Sequence, residues 1–135
     1  MIVAGLGCRS GATPDAVAEA FAAALERCGV ARREIDALAT DAAKSSERGI
    51  VALAAALELP LIFVAAEEMA GCASSAVTSS PRVIALKGVP SVAETAALAA
   101  AGRGARLLAP RIATATVTCA IAVGQGGGSN MTALP

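Results

Sequence analysis

Short apolar runs alternate along this chain with alanine-rich stretches of helical period. That alternation restricts the fold more than any other feature of the sequence. Ile2 to Leu6, Ile35 to Thr40 and Leu61 to Ala65 read as short buried strands, the last introduced by Pro60. Between the first two, Pro14 to Cys28 is the clearest helix. Thr13 suits the N-cap, Pro14 the first helical position, Asp15 the first turn and Gly29 the stop. Val17, Phe21, Leu25 and Cys28 fall on one face. Glu47 to Leu57 predicts a second helix, with Ile50, Leu53 and Leu57 inward. Ala66 to Gly71 reads as a turn or short helix, and Ala73 to Ser80 as an exposed loop. Val83 to Ala85 fits either a short strand or a helix beginning near Pro81. Ser91-Val92-Ala93-Glu94 has the pattern of a capping box, opening a helix that runs to about Ala101 and stops at Gly102. Leu107-Leu108 and Ala115 to Val123 read as the last strands, the second rich in β-branched residues. The expected fold is a single three-layer α/β/α domain, residues 1–123, around a mostly parallel sheet. The end of the chain is expected to add an antiparallel edge that would make the sheet mixed. Residues 124–135, "GQGGGSNMTALP", predict a flexible tail.

Composition excludes much chemistry. The 135 residues are 56% hydrophobic and 16% charged with zero formal net charge, so the chain can bury a core and most of it is not disordered. There is no histidine, which rules out Ser-His-Asp and Cys-His pairs and any His-ligated metal site. Proton transfer would fall to carboxylates, Lys, Cys, water or the substrate. No Trp, no Tyr and only two Phe, Phe21 and Phe63, leave almost no stacking platform, and there is no basic stripe, so no nucleic-acid partner is expected. Cys8, Cys28, Cys72 and Cys119 are widely spaced without a C-x-x-C and predict no metal site; they read as small buried hydrophobes, with Cys8, in the opening loop, the exception. The longest apolar stretch, Ile50 to Ala66, is interrupted by Glu58 and Pro60, and the start lacks a basic leader. A cytoplasmic protein with reduced thiols, no membrane contact and no cofactor is expected, and a homodimer is compatible with so apolar a domain.

Candidate site residues gather where strands give way to helices. In an open α/β sheet, ligands collect beyond the carboxyl ends of the strands, where helix starts offer free amides. The opening loop, with Gly7, Cys8, Arg9 and Ser10, combines permissive backbone with a guanidinium fork. Its spacing is neither G-x-G-x-x-G nor a phosphate loop, so a tight strand-to-helix turn fits equally well. "TDAAKSSERG", Thr40 to Gly49, carries Lys44 and also joins a strand to a helix. If the two strands are neighbours, Lys44 and Arg9 share one edge. Ser91 and Val92 begin the later helix, and Arg111 follows Pro110 after a strand. A neutral protein clustering Arg9, Lys44, Ser91 and Arg111 on one edge suits a ligand with several carboxylates. No acid–base pair stands out.

"VAGLGCRSGATPDAV", "LATDAAKSSERGIVALAAALELPLIFVAAEEM", "GVPSVAETAAL" and "LLAPRIATATVTCAIA" follow, in order and spacing, the pattern of the CobE family. The chain resembles the C-terminal domain of the CbiG family standing alone, over residues 1 to about 123. The carrying elements are the Gly-x-Gly-Cys-Arg opening, the Lys-Glu-x-Gly element, the "LP" strand, the Ser-Val-x-Glu helix start and the Pro-Lys/Arg turn. The second is looser here, as Lys44-Ser-Ser-Glu47-Arg-Gly49. The resemblance implies a role in cobalamin synthesis on a precorrin or other corrinoid intermediate, alongside other enzymes of that pathway. CbiG-type proteins are associated with opening the δ-lactone of cobalt-precorrin-5A with release of acetaldehyde. On that reading Glu47 or Glu94 would activate water, and Lys44 or Arg9 would stabilise charge on oxygen. A small α/β module binding some other anion, such as a phosphate compound, is the competing expectation.

Overall fold

The computed structural model describes residues 1–76 and 91–126. Their elements are β1 (Ile2–Cys8), α1 (Pro14–Cys28), β2 (Ala37–Asp41), α2 (Arg48–Leu57), β3 (Leu61–Val64) and α3 (Ala66–Gly71). After the undescribed stretch come α4 (Val92–Ala101), β4 (Arg106–Leu107), β5 (Ile112–Ala113) and β6 (Val117–Val123). Cap chemistry sets α1 where the sequence puts it. The Ala16 N–H donates to Thr13 Oγ1 at 3.1 Å, and Gly29 takes the left-handed conformation that ends the helix, at φ 65°.

The six strands run in the order β3-β2-β1-β6-β4, with β5 also paired to β6. β1, β2 and β3 are parallel, and β6 is antiparallel to β1 along its whole length, from Ile2 opposite Val123 to Cys8 opposite Val117. The sheet is therefore mixed. Its antiparallel strand is not the expected edge but lies inside the sheet, with β4 and β5 on its far side. The turn from β5 to β6 closes with the Thr114 N–H donating to the Val117 carbonyl at 2.8 Å. So short a connection cannot cross over the sheet, and the strands must be antiparallel.

Strand alternation divides the core. Leu6, Leu38, Leu61 and Ile121 face α1 and α2, where they meet Val17, Phe21, Ile50 and Leu53. Val3, Ala39, Ile62 and Ala122 face the other way, against α4 and Met69 of α3. Every residue of α4 from Ala93 to Ala101 is buried, Glu94 and Thr95 included. A helix with no polar stripe belongs inside the protein. Its small side chains let its backbone lie directly on β1. A Cβ at Gly5 would overlap the Ala93 carbonyl oxygen and sit 2.7 Å from the Ala97 amide nitrogen. At the other end of α4, a Cβ on Gly124 would meet the Ala101 carbonyl oxygen at 2.5 Å. Helix α4 thus runs antiparallel to β1 and starts beside Gly7, at the carboxyl edge of the parallel strands.

Three expectations change. β1 continues through Cys8, so Gly7 and Cys8 are strand residues and not loop residues. Residues 42–44 form a short 3-10 turn within the stretch that the sequence reads only as the join between the second strand and the second helix. Gly124 and Gly126, expected in the tail, are tied in: the Met1 ammonium donates to the Gly124 carbonyl at 2.7 Å, and the Gly126 N–H to the Ala101 carbonyl at 2.7 Å. The segment around Val83, the end of the 73–80 loop and residues 127–135 lie outside the described residues. Among the described residues no helix is long and apolar enough to cross a membrane.

Candidate functional site at the carboxyl edge of the sheet

Parallel pairing of β1 with β2 puts the loops after Cys8 and Asp41 side by side. Arg9 and Lys44 therefore share the edge, as expected of neighbouring strands. Arg9 is exposed. Its backbone N–H donates to the Thr116 carbonyl at 2.9 Å, which sets the opening loop against the β5–β6 turn. Ser10 is exposed beside it, and Gly11 adopts φ 81°.

The two loops are joined through Glu47, the residue that precedes α2. Glu47 Oε1 accepts the Gly11 N–H at 3.0 Å and the Cys8 thiol at 3.9 Å. Two residues on, a Cβ at Gly49 would come within 2.5 Å of the Ala12 carbonyl oxygen. Only glycine lets the first turn of α2 press so closely on the opening loop. The Lys44-Ser-Ser-Glu47-Arg-Gly49 element is thus a coupling between loops, with its lysine left half-buried at the edge.

Cys8 ends β1 on the α1 side of the sheet. Burial pushes its thiol pKa up, the Glu47 charge and hydrogen bond add to that, and the Lys44 ammonium opposes it. A thiol held protonated, with no histidine to deprotonate it, is a poor nucleophile.

The start of α4 completes the edge. Ser91 is fully buried, and its Oγ accepts the Glu94 N–H at 3.3 Å, as a cap should. Val92 is half-buried, packed near Gly7. Glu94 is also fully buried, and its Oε2 accepts the backbone N–H of Arg111 at 3.0 Å. That bond ties the Pro110-Arg111 turn to the first turn of α4. The edge therefore gathers Arg9, Ser10, Lys44 and Val92, while Glu47 and Glu94 bond to backbone amides of the Arg9 loop and the Pro110-Arg111 turn and Ser91 caps α4. Gly7 lies within β1, where a Cβ would come 2.8 Å from the Thr118 hydroxyl of β6.

Sequence reasoning passes over Asp41. This carboxylate ends β2 almost wholly buried and accepts the Ala43 N–H at 2.9 Å. The signal was an acid directly after a buried apolar strand, at the end where α/β sheets hold their ligands. Among the described residues no group of His, Cys, Asp and Glu could hold a metal ion.

Comparison with known proteins agrees with this architecture. The family described as Cobalamin synthesis G C-terminus matches residues 2–122. A Protein CobE from Sinorhizobium sp is 35% identical over 121 residues, which cover 90% of this chain and 79% of that protein. The crystal structure of CobE, described as a protein from the cobalamin (vitamin B12) biosynthetic pathway, has a TM-score of 0.86 at 32% identity, covering 90% of this chain and 89% of that one. The cobalamin biosynthesis protein chiG from Agrobacterium tumefaciens str. C58 is 41% identical with a TM-score of 0.74, over 93% and 99% of the two chains.

Proposed function

The chain belongs to the cobalamin synthesis G C-terminal family, and on that footing we propose that it binds a polycarboxylate precorrin or corrinoid intermediate at the carboxyl edge of its sheet. It is a cobalamin biosynthesis protein of the CobE/CbiG type. The observation that carries the ligand class is the joining of the two cation-bearing loops, Arg9's and Lys44's, by Glu47 beside the start of α4. Carboxylates spread around a macrocycle match cations spread along an edge, each pair forming a charge-assisted hydrogen bond. The protein's four free thiols suit the cytoplasm.

Lactone opening at the same edge would need a carboxylate able to take a proton from water. Glu47 and Glu94 both accept backbone amides, which favours binding over hydrolysis. An absorbance titration of the protein with precorrin intermediates tests the reading. Arg9→Ala should lose roughly 1.5–3 kcal/mol of binding free energy, the worth of one hydrogen bond to a charged group. Arg33→Ala, in the turn before β2 at the opposite edge, should bind as the wild type does. An unchanged spectrum at saturating protein would refute the ligand class. Retention of a phosphate compound in its place would favour the general anion module. Acetaldehyde release during the titration would establish lactone opening.

A further inference from the structure

Glu47 and Glu94 are the two carboxylates that the family resemblance suggests for activating water, and they make the same contact. Each stands at a helix start, Glu47 just before α2 and Glu94 in the first turn of α4. Each reaches across to a different part of the chain and accepts a backbone N–H at 3.0 Å, Glu47 from Gly11 and Glu94 from Arg111. In both cases the gripped backbone carries a cation: Arg9 lies two residues before Gly11, and Arg111 is itself the donor. A carboxylate is favoured beside the free amides of a helix start, and its hydrogen bonds are stronger than those between neutral groups.

We propose that Glu47 and Glu94 are positioning residues, two carboxylate clamps that fix the Arg9 loop and the Arg111 turn against the starts of α2 and α4. They thereby set where the two guanidinium groups meet the ligand. The ligand half of this proposal rests on the function proposed above; the clamp half does not. The Arg9 loop needs such an anchor. Among the described residues its other backbone ties are the Arg9 N–H to Thr116 and a 3.2 Å turn bond from the Ala12 N–H to the Arg9 carbonyl. Glu94 is fully buried, so its carboxylate must be satisfied from within the protein, and the Arg111 N–H is one partner that does so. Glutamine keeps an acceptor oxygen at the same reach and loses the charge and the proton-carrying capacity. The conservative variant therefore separates clamping from acid–base chemistry.

Amide hydrogen exchange, read by NMR on the full chain, tests the clamps without any ligand. Glu47→Ala should speed exchange at Gly11 by at least about tenfold, the loss of one hydrogen bond to a charged group, and Glu47→Gln should recover most of that protection. Glu94→Gln should preserve protection at Arg111; it is the variant to use if Glu94→Ala does not fold. Precorrin titration then tests the consequence. If Glu47 acts through the Arg9 loop, the Glu47→Ala, Arg9→Ala double variant binds no more weakly than Arg9→Ala alone, whereas Glu47→Ala and Arg111→Ala combine additively. Unchanged Gly11 exchange in Glu47→Ala overturns the clamp. So does a Glu47→Gln variant as impaired as Glu47→Ala, or full additivity of Glu47→Ala with Arg9→Ala. A wild-type protein that binds no precorrin would sink the proposed function, while the exchange data would still decide whether the clamps exist.

Discussion

Replacing Gly5 by alanine sets two opposing effects against each other, and their magnitudes decide the sign. Alanine in a strand restricts the unfolded chain, and this favours the variant by about 0.5–1 kcal/mol. The folded state resists. The new methyl would overlap the Ala93 carbonyl oxygen and lie 2.7 Å from the Ala97 amide nitrogen and 2.9 Å from its Cβ. Comfortable carbon contacts need roughly 3.5–4 Å, so α4 would have to rise by on the order of 1 Å. The first two of these atoms are helix backbone and cannot swing aside. Lifting α4 loosens its packing on Val3, Ala39 and Ile62. Overpacking of this kind costs about 1–3 kcal/mol and outweighs the entropic gain. The net loss of about 0.5–2 kcal/mol should lower the midpoint of urea unfolding, followed by far-UV circular dichroism, by about 0.3–1 M for a slope of about 2 kcal/mol/M. Gly71, the last residue of α3, is the control, because a Cβ there meets nothing within 4 Å. Gly71→Ala should raise stability by up to about 1 kcal/mol. A Gly5→Ala protein as stable as the wild type would refute the close seating of α4 on β1.

Glu58 ends α2 in the left-handed region at φ 55°, where a Cβ is strained; Glu58→Gly should raise stability by about 0.5–1 kcal/mol in the same urea assay, and a loss would contradict that account. Ser91→Ala removes the cap that holds the Glu94 N–H and should lower stability by about 0.5–2 kcal/mol; an unchanged midpoint would show that α4 needs no cap. Cys8 should react with iodoacetamide along a pH profile whose midpoint lies above that of an ordinary thiol, since burial and Glu47 both disfavour the thiolate. Glu47→Gln should move the midpoint down, and a wild-type midpoint at or below the ordinary value would remove the proposed environment.

Much of the fold is legible in the sequence because it is written in local chemistry. Thr13, Pro14 and Gly29 bound α1 through groups that act within one turn, so the helix falls where those residues put it. Ser91 caps α4 for the same reason. What local chemistry cannot carry is partnership across the chain. Val117 to Val123 announces a strand by its β-branched residues, but nothing in it tells that it will lie between β1 and β4. Gly7 looks like a loop glycine and Gly5 like any other residue of its strand; what Gly5 makes room for is a helix backbone nearly ninety positions later in the chain. The cations of the site were legible, since Arg9 and Lys44 follow directly on strands. The parts of Glu47 and Glu94 were not. Both accept backbone amides, and a backbone amide leaves no mark in the sequence of its owner.

The same asymmetry explains why the edge can hold a ligand at all. A loop carrying an exposed arginine has little reason to keep one shape, because the charge seeks water in every conformation and surface ion pairs contribute little. Here the shape is imposed from behind. Gly49 lets α2 press against Ala12, Glu47 holds Gly11, and Thr116 holds the amide of Arg9. Each contact acts on the backbone and leaves the guanidinium free to meet a carboxylate. An arginine already fixed at its base loses less freedom when a ligand arrives, and more of the interaction appears as affinity. Four segments distant in sequence therefore meet at one edge for a topological reason. β1 and β2 are parallel neighbours, so their loops emerge together, and α4 runs back along β1, so its start returns to the same place. The Arg111 turn joins them through Glu94.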